Sequence, residues 1–244
     1  MTSQKLPRSH QVSWDKTFRL IPSRYPPIDL FERIADPADW EMLAAIEGLT
    51  NDRLRDEIGQ IGLVPPMDRI AGPGASPIMA AFTHVGFASR FTDGSYGVYY
   101  ASDQLAGAIK EVVHHQEMFL RRTSEPATHI QMRLYVGSIS AELHDVRGGW
   151  PAVHDPVSYL AAQKLALSLR KTGSNGIVYD SVRFIGVSNV AVFRPRVLAS
   201  PSGKAHVKQG EHIQLEWNGT RIFRFIKVGE RNWQSIDSLK GPPS

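Results

Sequence analysis

The chain has 244 residues, 42% hydrophobic, 21% charged and 9% aromatic, a balance that fits one globular domain with extensions and excludes disordered, collagen-like and low-complexity classes. The net charge is +4 with no block of basic residues, and there is no Cys, which excludes disulfides, thiolate zinc sites, iron–sulfur clusters and Cys nucleophiles. No apolar run approaches the roughly 18 residues of a membrane span and Met1 to Lys16 has no signal-peptide core, so the expectation is a cytoplasmic protein without membrane attachment.

The ends read as an N-terminal arm (1–17), disordered before about Thr17, and a flexible tail (237–244), around one domain of 18–236. Asp36-Pro37 joins an N-cap to a first-turn proline, and Trp40, Leu43, Ala44 and Ile46 follow at helical spacing until Gly48. Thr50 caps a second helix carrying Leu54 and Ile58. Pro65-Pro66 and Gly72-Pro73-Gly74 mark a long loop, after which Ser76-Pro77 starts a short helix ending near Gly86.

The turn Thr92-Asp93-Gly94-Ser95 precedes a buried strand, Val98 to Ala101. Ser102 caps the next element, an amphipathic helix to about Leu120, because Leu105, Ala108, Ile109, Val112, Val113 and Phe119 recur at spacings of three and four. Ile130, Met132, Leu134 and Val136 alternate as a half-buried strand, with Ala141 to Val146 as its neighbour. Asp155-Pro156 opens a helix to about Thr172, and strands Ile177 to Arg183 and Asn189 to Arg194 follow, joined through Gly186.

Ile213, Leu215 and Trp217 alternate up to Asn218-Gly219, a two-residue turn that predicts a hairpin over about 211–228. Its register pairs Trp217 with Thr220, Glu216 with Arg221 and Leu215 with Ile222. Consecutive strands without intervening helices near the C-terminus give an α+β class, mainly antiparallel sheets with flanking helices.

Familiar chemistry is absent. There is no G-x-G-x-x-G, no P-loop, no G-x-S-x-G and no H-E-x-x-H. Glu111, His114 and His115 form one E-x-x-H-H on a helix, but a carboxylate-bridged metal site needs a second such pair, so no metal is expected. What remains is a set of polar residues at buried or strand-edge positions: Arg19, Arg90, Tyr99, Glu111 and Ser181. Each alone has a bland reading as a solvated charge, half of an ion pair or core. Together they suggest an Arg/Glu/Tyr cleft.

The run Phe18-Arg19-Leu20-Ile21-Pro22-Ser23-Arg24-Tyr25-Pro26-Pro27, then Ser89-Arg90-Phe91, Gly97-Val98-Tyr99-Tyr100-Ala101, Ala108-Ile109-Lys110-Glu111 and Gly176-Ile177-Val178-Tyr179-Asp180-Ser181-Val182-Arg183 resembles the RES-domain toxins. The match covers roughly Phe18 to Pro195, and the hairpin is similar to the C-terminal extension of longer, ParT-like members. Ala88-Ser89-Arg90-Phe91-Thr92 stands where the family commonly has Gly-Gly-Arg-Trp-Asn. The resemblance implies a bacterial type II toxin with an Xre-type antitoxin, a fold similar to mono-ADP-ribosyltransferases, and NAD as substrate. Arg19 and Arg90 then match the arginines of the site, Tyr99 its strand tyrosine and Glu111 its carboxylate. Ser181 or, less closely, Ser158 matches the family serine.

Such residue types suit NAD cleavage. Positive charge builds on the ribose as nicotinamide leaves, which a fixed carboxylate stabilises, and guanidinium forks match pyrophosphate oxygens. Glu111 is the catalytic candidate, and Arg19, Arg90, Tyr99 and Ser181 are NAD-binding candidates, Tyr99 by stacking. The acceptor is water, phosphate or a host protein, and the extra hairpin, as a surface for a protein target, favours the last. The competing reading is a toxin that binds or cuts RNA with His114, His115 and Tyr99; otherwise nucleic acid enters only through the antitoxin.

Overall fold

The computed structural model describes residues 6–23, 30–33, 40–42, 58–200 and 204–241. The helices expected from Asp36 and from Thr50 lie almost wholly outside these residues, as do 24–27 of the Phe18 run. The described anchors of those two helices, Trp40 and Ile58, are both buried.

In chain order the elements are β1 (Ser9–Pro22), the short α1 (Leu30–Arg33), 3-10 turns at Ile61–Leu63 and Pro66–Asp68, α2 (Ser76–Thr83), β2 (Tyr99–Ser102) and α3 (Leu105–Arg122). Then come β3 (Thr128–Asp145), α4 (Leu160–Lys171), β4 (Gly176–Asp180), β5 (Ser188–Val192), β6 (Val207–Trp217), β7 (Ile222–Lys227) and β8 (Gln234–Ser235). The strands form one sheet in the order β1-β2-β5-β4-β3-β6-β7-β8, and β1 also pairs with β3, so the first five strands of that order close a ring. Only β3 and β4 run parallel. The α+β, mainly antiparallel class is therefore the observed one.

Several boundaries differ from the sequence reading. Residues from Ser9 onward are ordered sheet: β1 pairs with β3 from Ser9 to Trp14 as well as from Thr17 to Pro22. Within β1 before Thr17 only Val12 is buried, so apolar alternation could not reveal a strand held by backbone pairing and by polar cross-strand contacts such as Gln11 Nε2 to Ser140 Oγ at 3.2 Å. At the other end Ile236–Ser238 forms a 3-10 turn and Leu239 packs on the core, where a flexible tail was expected.

The two strands expected over 130–136 and 141–146 are one long β3, because β1 lies along it from Met132 to His144. Gly137 does not turn the chain there. It makes room for β6, since a Cβ would stand 2.7 Å from Val207 Cγ1. α4 starts at Leu160, not Asp155, whose Oδ1 accepts the N–H groups of Val157 and Ser158 in a preceding turn. Ser102 is the last residue of β2 rather than a cap, and β4 stops at Asp180. In the hairpin Trp217 faces Ile222, Glu216 faces Arg224 and Leu215 faces Phe225. The register moves because Asn218 opens the turn instead of filling its centre: its Oδ1 accepts the Thr220 and Arg221 N–H groups. A bulge at Phe223 adds one residue more.

The period of two along the central strands decides which side chains meet the cleft described below. Tyr99 and Ala101 of β2, Val178 of β4, and Val190 and Val192 of β5 bury one face together with Ile78, Met79 and Phe82 of α2. Ile177, Tyr179, Ala191 and Phe193 bury the opposite face with Ala162, Leu165, Ala166 and Leu169 of α4, and Tyr100 packs partly against them. The stripe Ala108, Ile109, Val113 and Leu120 of α3 covers Met132, Leu134, Ile213, Leu215 and Trp217. Each such large apolar side chain contributes about 1.5–3 kcal/mol by burial.

Candidate active site

Strand β1 delivers Arg19 between Phe18 and Leu20. Its guanidinium lies 4.6 Å over the Tyr99 ring, and Nη1 donates to the Tyr100 carbonyl at 3.0 Å. Nε is buried with no hydrogen-bond partner among the described residues. Burial, only partly opposed by the neighbouring tyrosines, lowers the pKa of this cation. Burial likewise pushes the Tyr99 phenol up to about 12 despite Arg19. No ion pair joins Arg19 to a carboxylate among the described residues.

Arg90 sits in a turn closed by the Ser89 N–H donating to Thr92 O at 2.8 Å. Two side chains fasten this turn although it lacks the glycines of the commoner motif. The Tyr100 hydroxyl bonds Ser89 Oγ at 2.8 Å and accepts the Phe91 N–H at 3.0 Å. Gln163 of α4 donates to the Ser89 and Thr92 carbonyls at 2.9 and 3.0 Å. Nη1 of Arg90 donates to Val153 O and Asp155 O, each at 2.9 Å, and its guanidinium lies 4.7 Å from the Tyr159 ring centre. Nε and Nη2 carry no hydrogen bond among the described residues.

Helix α3 carries Glu111. The helix can approach β2 and the residue just before β5 because residue 107 is glycine: a Cβ there would meet Ser102 Oγ and Val187 Cγ1 at 2.5 Å. Glu111 Oε1 accepts two hydrogen bonds, from Ser181 Oγ at 2.8 Å and from Asn189 Nδ2 at 3.2 Å. Oε2 accepts none among the described residues.

These groups share a cleft of about 320 Å³, within the usual range for ligand pockets. Arg19, Arg90, Glu111, Tyr100, Tyr159 and Asn189 are among its lining residues, and so is His115. Two guanidiniums against one carboxylate leave the walls positive. Among the described residues no cluster of three or more His, Asp or Glu could hold a metal ion, and no helix is long and apolar enough to cross a membrane.

Of the residues expected from sequence, Arg19, Arg90 and Glu111 therefore come together, and Ser181 touches Glu111. Tyr99 does not line the cleft. It is 1% exposed and lies beneath Arg19, so stacking on a ligand is replaced by stacking on the arginine. Strand alternation gives the cleft position to Tyr100. Ser158 is exposed and bonded only through its N–H to Asp155. His114 is not among the lining residues; its Nε2 is buried without a partner among the described residues, and burial, then the Arg183 and His115 charges, lower its pKa to about 4. Sequence reasoning missed Tyr100, Tyr159 and Asn189. Asn189 had a signal, as one of two polar residues, with Ser188, between Val187 and the apolar run that follows. Tyr159, in a loop, had none.

Comparison with known proteins gives a consistent result. The RES domain family model matches residues 66–218. The "Uncharacterized protein y4oC" of Sinorhizobium fredii (strain NBRC 101917 / NGR234) is 30% identical over 210 residues, covering 85% of each chain. A chain of the M. tuberculosis MbcT–MbcA toxin–antitoxin complex aligns with a TM-score of 0.45 at 7% identity, covering 87% of this chain and 88% of that one.

Proposed function

The chain belongs to the RES-domain family, and from that premise we propose that it is the toxin of a toxin–antitoxin pair and an enzyme that breaks the bond from ribose C1′ to nicotinamide in NAD. Its partner in this reading is an Xre-type antitoxin, and its fold is of the mono-ADP-ribosyltransferase kind. One observation carries the chemistry: two guanidiniums without a carboxylate partner among the described residues and one carboxylate with an open oxygen line the same cleft. A dinucleotide presents the complement of that pattern, a dianionic pyrophosphate beside a ribose that gains positive charge on reaction.

The Arg90 Nε and Nη2 donors and the Arg19 guanidinium where it lines the cleft are the groups left to hold pyrophosphate oxygens. Glu111 Oε2 takes the ribose 2′-hydroxyl as acceptor, and its charge stabilises the oxocarbenium-like state more than the ground state, so it lowers the barrier rather than only tightening binding. Nicotinamide departs with the C1′–N bond electrons and is released neutral. The acceptor oxygen then bonds C1′ and loses its proton. Tyr100 acts by fixing the Arg90 turn, and Ser181 by donating to Glu111.

The test is to incubate the purified chain with NAD, with and without cell lysate, and to resolve products by mass spectrometry. Nicotinamide release matched by ADP-ribose, by its phosphate or by an ADP-ribose adduct on protein supports the reading and names the acceptor. Intact NAD beside degraded total RNA would replace it with the ribonuclease reading.

A further inference from the structure

We propose that Asn189 is a positioning residue for Glu111: its amide, together with the Ser181 hydroxyl, commits Oε1 to the protein and thereby leaves Oε2 as the oxygen that meets substrate. The proposal rests on the NAD-cleavage reading and goes further, by assigning a task to a residue outside the set that the family resemblance implies.

Four observations carry it. Asn189 is 2% exposed, in a strand whose other residues from Val190 to Val192 are fully buried and apolar. A buried amide carries a desolvation cost unless it bonds; this one donates through Nδ2 to Glu111 Oε1 at 3.2 Å and also meets the Tyr179 hydroxyl. Its other end, Oδ1, is buried with no partner among the described residues. The side chain therefore stands at a position where an apolar residue would pack without that cost, and the stronger of its two compensations is the charge-assisted bond to Glu111, the Tyr179 phenol being a neutral partner.

The second support is geometric. Ser181 Oγ reaches the same oxygen at 2.8 Å from the loop after β4, while Asn189 approaches from β5. Tyr179, which faces Asn189 in the β4–β5 register, fills the space beside both. Two donors from two different elements define one direction for a carboxylate that three χ angles would otherwise leave free. Reversing the Asn189 amide would set its oxygen against the carboxylate, so the donor assignment follows from the charge of Glu111.

A residue that acts through Glu111 must lose its effect when the Glu111 charge is gone, whereas a residue that merely packs will not. The experiment is a double-mutant cycle on NAD turnover with Asn189→Leu, Asn189→Asp and Glu111→Gln, singly and combined. Loss of a hydrogen bond to a charged group is expected to lower kcat roughly 10- to 100-fold in Asn189→Leu, with KM for NAD changed less than about 3-fold. Asn189→Asp, nearly isosteric but carrying an oxygen where the donor was, is expected to fall at least as far. Adding Asn189→Leu to Glu111→Gln is expected to cost less than about 2-fold more.

Equal losses in the two backgrounds, or wild-type kcat in both Asn189 variants, overturns the proposal. A wild-type chain that leaves NAD intact instead overturns the NAD reading. For that case the crystal structure of Asn189→Leu gives a measure independent of turnover: Glu111 is expected to leave the Ser181 hydroxyl or to occupy several rotamers, and an unmoved side chain counts against positioning.

Discussion

Glu111→Gln removes one charge from the cleft and almost nothing else. If the glutamine carbonyl takes the place of Oε1, it still accepts from Ser181 Oγ and Asn189 Nδ2, the bonds now measured at 2.8 and 3.2 Å. The new amide nitrogen then stands where Oε2 was, an oxygen with no hydrogen bond to the described protein. The helix and its apolar stripe are untouched, so the melting temperature should stay within about 2 °C of wild type. In the proposed NAD reading the cost falls on the transition state, where an acceptor for the ribose hydroxyl becomes a donor and the anion beside the developing positive charge is gone. Removing one preorganised electrostatic contact of this kind costs about 2.7–4 kcal/mol, or roughly 10²–10³-fold in kcat. The assay is chromatographic quantification of nicotinamide released under saturating NAD. Turnover within about 3-fold of wild type, by a protein that melts normally, would refute the role given to this carboxylate.

Other perturbations test neighbouring steps. Arg90→Ala should weaken NAD binding more than Arg90→Lys in calorimetric titration, because lysine restores a charge but not the fork; equal effects would argue against a pyrophosphate contact. Gly107→Ala places a Cβ 2.5 Å from Ser102 Oγ and Val187 Cγ1. Overpacking of about 1–3 kcal/mol against a helix-propensity gain of about 1 kcal/mol should lower the melting temperature by up to about 8 °C, and an unchanged melt would show that α3 has slack there. The His114 imidazole, lowered from 6.5 to about 4 by burial and by Arg183, stays neutral in the native state while the unfolded chain takes up a proton. Its contribution to stability is thus full above pH 6.5 and is lost as pH falls toward 4. His114→Gln should accordingly lose less urea stability than wild type between pH 7 and pH 5, and parallel losses would contradict that linkage.

Helix α3 and the central strands were legible because their apolar residues recur at 3.6 or alternate at 2, and α2 because Ser76-Pro77 marks its start. β1 before Thr17 was not, since its stability lies in backbone pairing with β3 and in polar cross-strand contacts that leave no hydrophobic signature. Hairpin register escaped for a different reason. Asn-Gly marks a turn, but whether Asn opens or fills it depends on which N–H groups its side chain captures, here those of Thr220 and Arg221. In the site, charged residue types pointed to Arg19, Arg90 and Glu111, yet Tyr99 and Tyr100 are adjacent, and only the register of β2 against β5 separates the residue beneath the arginine from the one in the cleft.

The C-terminal hairpin looked like a surface for a protein target, and the structure gives it a different task. No residue of β6, β7 or β8 is among those lining the cleft. Instead Ile213, Leu215, Trp217, Ile222 and Phe225 bury the apolar stripe of α3. Three bonds fasten the far half of that helix and the residues after it: Ile222 N–H to Glu117 Oε1 at 2.7 Å, Arg121 Nε to Thr220 O at 3.1 Å, and Trp217 Nε1 to Glu125 O at 3.0 Å. The near half is set by the close approach at Gly107. Glu111 stands between these two attachments, one turn from the first, so the helix cannot pivot without breaking one of them. A carboxylate held at a defined place needs such support, and the hairpin supplies it whichever acceptor the reaction uses. Its presence is thus accounted for without a protein acceptor, and in the proposed NAD reading the acceptor is decided by what can reach C1′ in the cleft.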